Sequence, residues 1–135
     1  MIQVLEDRKH LSVWVPPDVA PADPTNFSAQ MVVVNGVKKI RLKWTDNSAD
    51  SLTTRGESYF QIWVAKGKHP FNGWKIATNT PYLNYTRSTG RVQFDVPYVA
   101  GMSWNTRGLR ITPPAPKTDI HIASGMASYW GVFVP

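Results

Sequence analysis

Between Lys38 and Thr45 the chain reads Lys-Lys-Ile-Arg-Leu-Lys-Trp-Thr, with apolar and polar residues alternating at a period of two. Successive side chains of a strand point to opposite faces, so Ile40, Leu42 and Trp44 share one face while Lys39, Arg41 and Lys43 share the other. This pattern commits the stretch to a half-buried strand. An indole buries more apolar area than almost any other side chain, which makes Trp44 the candidate for the centre of the core. The remaining chain must then supply a second layer to cover it.

Strand signals continue on both sides. Met31-Val32-Val33-Val34 is a β-branched run, and Asn35-Gly36 separates it from Val37 and the alternating stretch. Asn-Gly between two such runs predicts a tight hairpin, because a type I′ turn needs positive φ at both central residues. Asp46 through Gly56 is polar and turn-forming and reads as a long loop. Tyr59 to Ala65 follows as a strand with Phe60, Ile62 and Val64 on the core face, which leaves Trp63 on the outer one. Further strands are expected at Trp74–Ala77, Tyr82–Arg87, Arg91–Val96 and Met102–Ile111, and strand composition returns at Asp119–Ile122 and Tyr129–Val134. There is no amphipathic helical window of useful length. Seven or so short strands at close spacing predict an all-β, antiparallel β-sandwich.

The chain divides into three parts. Residues 25–112 form the expected sandwich body. Residues 1–24 hold Pro16, Pro17, Pro21 and Pro24 and read as an extended, proline-rich arm whose apolar residues include Val13, Trp14 and Val15. Ordering such an arm costs more backbone entropy than a few apolar side chains return, so it needs a sheet edge, on its own body or on a neighbour's, to become fixed. Residues 113–135 start with Pro113-Pro114-Ala115-Pro116 and carry a last strand and an aromatic tail with Tyr129, Trp130 and Phe133.

The order of landmarks resembles a fibronectin type III domain, a member of the wider immunoglobulin-like class. Pro24-Thr25-Asn26-Phe27 is similar to the opening of that family, and Leu42-Lys43-Trp44 to the Leu-x-Trp of its second strand. Glu57-Ser58-Tyr59-Phe60-Gln61-Ile62 is similar to its third strand and Trp74-Lys75-Ile76-Ala77 to its fourth. Gly101, Trp104 and Arg107 match the spacing of the motif in which the family's corner tyrosine sits, with Trp104 in place of the tyrosine and Gly108 where an apolar residue is usual. The resemblance covers about residues 24–111. It implies a fibronectin type III/immunoglobulin-like β-sandwich used for adhesion, spacing or assembly, since such folds host many functions.

Chemistry-bearing patterns are sparse. The chain has no cysteine, so thiolate metal sites, thiol nucleophiles and disulfides are excluded together. His10, His69 and His121 stand far apart, without the carboxylate spacing of a metal site or a triad, and Asp46, Asp50 and Glu57 lack the spacing of a calcium loop. The expectation is a protein that is not an enzyme and needs no metal or cofactor. No apolar run is long enough for a membrane span, and the charged opening Glu6-Asp7-Arg8-Lys9 predicts synthesis without a secretion signal.

Two surface features remain. The net charge of +6 is uneven: residues 1–24 carry −2 and the remainder +8. The basic face of Lys39, Arg41 and Lys43 would suit an acidic partner, but lysine on a sheet face also serves to prevent unwanted pairing, and a nucleic-acid partner is disfavoured. An aromatic surplus beyond the core, Trp63 among it, suits a protein interface or a sugar platform. The preferred expectation is a structural protein docking on neighbouring subunits, its own copies or others, through the terminal residues Val13, Trp14, Val15, Tyr129, Trp130 and Phe133. A short chain of this kind resembles bacteriophage accessory proteins such as capsid decoration or tail components, which implies a virion location. The alternative is a carbohydrate-binding or adhesion module that uses Trp63 and other surface aromatics.

Overall fold

Strand-forming sequence is realised as two antiparallel sheets in a computed structural model, which describes residues 20–48, 59–81, 90–111 and 121–135. The arm residues Val13, Trp14 and Val15, most of the loop after Asp46, the stretch 82–87 and the Pro113–Pro116 run lie outside the described residues. Strands β1 (Thr25–Val34), β2 (Val37–Asp46) and β5 (Gly90–Pro97) form the first sheet in the order β1-β2-β5. The second contains β3 (Tyr59–Lys66), β4 (Lys75–Asn79), β6 (Met102–Ile111), β7 (His121–Ala123) and β8 (Val132–Val134), in the order β4-β3-β6 with β7 and β8 sharing the far side of β6. No helix occurs among the described residues.

The β1–β2 hairpin closes at Asn35 (φ 52°) and Gly36 (φ 78°), the two positive angles that its turn demands. From there the alternation of β2 sets the register of its sheet. Ile40, Leu42 and Trp44 face inward, and opposite them on β5 stand Val96, Phe94 and Val92. Phe60, Ile62 and Val64 of β3, Trp104 of β6 and Val134 of β8 close over them from the second sheet. Trp44 is fully buried, with the Phe27 ring 6.2 Å away and the Phe60 ring 5.1 Å away in an edge-on contact. A sandwich thus forms around one indole.

Several elements differ from the sequence reading. The fourth strand begins after Trp74 and all five of its residues are exposed. The C-terminal strand composition, by contrast, is split as the sequence suggests: β7 pairs with Leu109–Ile111 and β8 with Met102–Trp104, with residues 124–131 forming a bow between them. The gap is bridged by Ser124 N to the Gly108 carbonyl at 2.8 Å, Gly108 N to Ser124 Oγ at 2.9 Å and Ala127 N to the Thr106 carbonyl at 2.9 Å. Backbone groups that an unbroken strand would pair are therefore satisfied in another way. The outer side of β3 and β6 is also covered, since Tyr59, Gln61, Ala65, Ser103, Asn105 and Leu109 are all buried. Alternation alone cannot reveal a second buried face.

Residues 20–24, just before β1, are seated on the body. Pro21 and Pro24 are buried. The Asp23 carboxylate accepts a bond from Gly125 N at 2.7 Å, and Asn47 Nδ2 donates to the Asp23 carbonyl at 2.9 Å. A Cβ on Gly125 would meet that carboxylate at 2.7 Å, so a larger residue there would have to displace the Asp23 side chain.

Trp44→Ala removes the ring on which both sheets close. A loss of about 3–5 kcal/mol is expected in chemical denaturation, a large share of a typical domain stability of about 5–15 kcal/mol. An unchanged midpoint would contradict the central place given to Trp44.

Candidate functional site

Large apolar side chains left in water are informative when they cluster. Among the described residues the most exposed are Phe71 and Tyr129, at 88% and 90%. They belong to different segments: Phe71 to the β3–β4 loop, residues 67–74, and Tyr129 to the outward bow between β7 and β8. Trp130 joins them. Its ring lies 5.5 Å from Phe71 and 4.9 Å from Tyr129, both nearly perpendicular to it, and 5.6 Å from the His69 imidazole. The result is a ridge of three aromatic side chains with a histidine at its flank.

Both supports of the ridge are tied down by hydrogen bonds. Asn105 on β6 holds the bow with both ends of its amide, donating to the Ser128 carbonyl at 2.6 Å and accepting from Ser128 N at 3.0 Å. Trp74 donates its Nε1 to the Pro70 carbonyl at 3.2 Å, which closes the β3–β4 loop on itself. Its ring lies against Gly131, where an added Cβ would come within 2.5 Å of Cη2. Gly131 also has φ 76°, so two independent constraints ask for glycine. Ser103 Oγ donates to the Gly67 carbonyl at 2.6 Å, tying the start of the loop to β6. Lys68 Nζ stands 5.4 Å from the centre of the Phe133 ring.

The residues singled out from sequence fall into separate places. Ile40, Leu42, Trp44, Phe60, Ile62 and Trp104 are buried. Trp63 is half-buried on the outer side of β3, with its Nε1 bonded to Gln61 Oε1 at 3.0 Å and the Arg107 guanidinium 4.9 Å from its ring. One of its faces is therefore occupied, and the open aromatic surface lies instead around Trp130. Tyr129 and Trp130 come together on the ridge, while Phe133 stands against Lys68 of the β3–β4 loop. Phe71 carried no sequence signal, as one phenylalanine in a Pro- and Gly-containing loop has no periodicity to reveal its exposure.

On the first sheet, Lys39, Arg41 and Lys43 do line one face, but Arg41 makes a two-pronged ion pair with Asp95 across the register, both bonds at 2.9 Å. Neutralisation of the middle cation breaks the basic row. The hydrogen bonds from Arg41 hold the Asp95 carboxyl below its usual range, partial desolvation opposes this, and the charges of Arg41 and Lys39 add to the lowering.

Among the described residues there is no cluster of three or more metal-ligating side chains, and no helix long and apolar enough to cross a membrane. No family model, curated protein or solved structure matches the chain. The geometry can therefore be read only by its own chemistry: a fixed aromatic ridge suited to binding.

Two outcomes follow. Gly131→Ala should push Trp74 from its seat, lowering stability by about 1–3 kcal/mol and changing the near-ultraviolet dichroism of the indoles; an unaltered spectrum and midpoint would refute the packing described. The Asp95 pair, because its folded-state pKa is depressed, contributes fully above the ordinary aspartate value of about 3.9 and loses its contribution as pH falls below it. Denaturation midpoints followed downward from about pH 6 should fall less steeply in Asp95→Asn than in the wild type. Parallel curves would contradict this assignment.

Proposed function

We propose that the protein is a non-catalytic assembly module that docks on other protein subunits, with the Phe71–Trp130–Tyr129 ridge as its contact surface. The observation that carries this reading is the pair of nearly fully exposed rings packed on Trp130 over a hydrogen-bonded mount. Aromatic anchors that are ordered before binding lose little conformational entropy on contact, and Trp and Tyr dominate the energetics of protein interfaces. A sugar platform is the second reading. It is less well supported, since the ridge presents rings at right angles around a central indole, and Phe71 has no hydrogen-bonding group with which to select a saccharide.

The finer fold resemblance belongs to the same proposal. First, second and fifth strands in one sheet, with third, sixth and last in the other, is the general immunoglobulin-like partition. A fibronectin type III-like sandwich fits this order and the sequence landmarks. The corner position is a departure, because Trp104 Nε1 makes no hydrogen bond among the described residues. A virion subunit, either capsid decoration or tail component, is the setting that the sequence resemblance suggests for such a module.

A tagged full-length chain expressed in its natural host tests the reading. It should sediment with a large assembly, and Phe71→Ser combined with Tyr129→Ser should leave it in the slow fraction with an unchanged melting temperature. Equal sedimentation of both chains would contradict the proposal, as would micromolar saccharide binding lost in Tyr129→Ser.

A further inference from the structure

Each sheet carries an arginine on its outer face, and the chain treats the two differently. On the first sheet, Arg41 finds a carboxylate across the register in Asp95. On the second, the residue across the register from Arg107 is Gln61, which is neutral. Gln61 Oε1 accepts from Arg107 Nε at 3.1 Å and from Trp63 Nε1 at 3.0 Å, and the guanidinium lies 4.9 Å from the Trp63 ring centre. One oxygen thus holds the arginine and the indole together. Arg107 is half-buried, yet its two Nη groups meet no protein acceptor among the described residues.

We propose that this guanidinium fork binds a carboxylate of the docking partner, so that the segment seated on the ridge is an acidic polypeptide. The inference rests on the assembly reading above and names the chemistry of the partner. Three observations point to it. The paired N–H donors of a guanidinium match the two oxygens of a carboxylate, and a fork fixed before contact loses little entropy on binding. With Trp63 against the guanidinium and Gln61 at Nε, the Nη edge is the side left for an acid to approach. No acid of the second sheet competes for it: residues 59–81, 102–111 and 121–135 contain Lys66, Lys68, Lys75, Arg107 and Arg110 and neither Asp nor Glu. Arg110 is buried, and the Asp23 carboxylate is engaged by Gly125 N. The third observation is position. Arg107 follows Asn105 by two residues on β6, about 7 Å at the usual strand rise, and Asn105 holds Ser128, which precedes Tyr129. A segment lying on the ridge therefore reaches the fork within a few residues. Nucleic acid fits less well, because phosphates are followed by a row of cations, whereas the neighbours of Arg107 on this face are Gln61, Trp63, Asn79 and Asn105.

Titration of the full-length chain with hexaglutamate, followed by the side-chain N–H resonances of Arg107 and Trp63, tests this. Both resonances should shift saturably, and hexaglutamine should shift neither. Arg107→Lys keeps the charge and loses the fork, so it should bind hexaglutamate roughly tenfold or more weakly at an unchanged melting temperature. The same variant should leave less of the tagged chain in the fast fraction of the host sedimentation. An absence of shifts with hexaglutamate, equal affinity in Arg107→Lys, or tighter binding of hexathymidylate than of hexaglutamate would overturn the carboxylate assignment. The comparison of the two peptides on the wild type decides the matter without any variant having to fold. The two readings fail separately. If Arg107→Lys sediments like the wild type while the ridge variant stays slow, only the acidic partner is wrong; if the ridge variant sediments normally, the assembly reading itself fails.

Discussion

Trp44 needs cover from two directions, and the sandwich is the arrangement that provides it. Phe27 approaches from its own sheet and Phe60 from the facing one, and the remaining inward residues of both sheets extend this contact above and below. Burial of a side chain of this size contributes several-fold more than a methyl group. It also fixes register, since a slip of one residue on β2 would turn Ile40, Leu42 and Trp44 to water and Lys39, Arg41 and Lys43 to the core. The core and the hairpin therefore specify each other.

Legibility of the sequence followed from this periodicity. Where one face is buried and the other wet, as on β2, the alternation is visible and the inward set can be named residue by residue. The turn at Asn35-Gly36 was equally legible, because its backbone angles are nearly reserved for those residue types. On β3 the pattern was ambiguous. Gln61, Tyr59 and Ala65 are buried on the second face, and nothing local distinguishes a polar residue in water from one packed beneath a loop. The break in the last strand at Ser124-Gly125 was legible, but what bridges it was hidden for a similar reason. Asn105 and Ser124 replace missing ladder bonds with side-chain bonds, a substitution that depends on contacts distant in sequence.

The ridge belongs to this hidden part. Phe71 and Tyr129 are 58 positions apart in sequence and meet only because the bow before β8 and the loop after β3 are both drawn toward one end of β6. Trp130 supplies the contact that joins them, while Trp74, Gly131 and Asn105 hold the two supports in place. The rings contribute little to the core. Their mount is built of the same glycine and hydrogen-bond constraints that close the second sheet, so a stable body and a stable binding surface come from one set of contacts.

The central claim is that the aromatic ridge is the surface by which the protein meets other subunits, and hydroxyl-radical footprinting of the chain alone and in its host assembly tests it most directly. The account predicts that oxidation of Phe71 and Tyr129 falls on assembly while that of the exposed Met31 on the first sheet does not. Equal oxidation of the two rings in both states would contradict it.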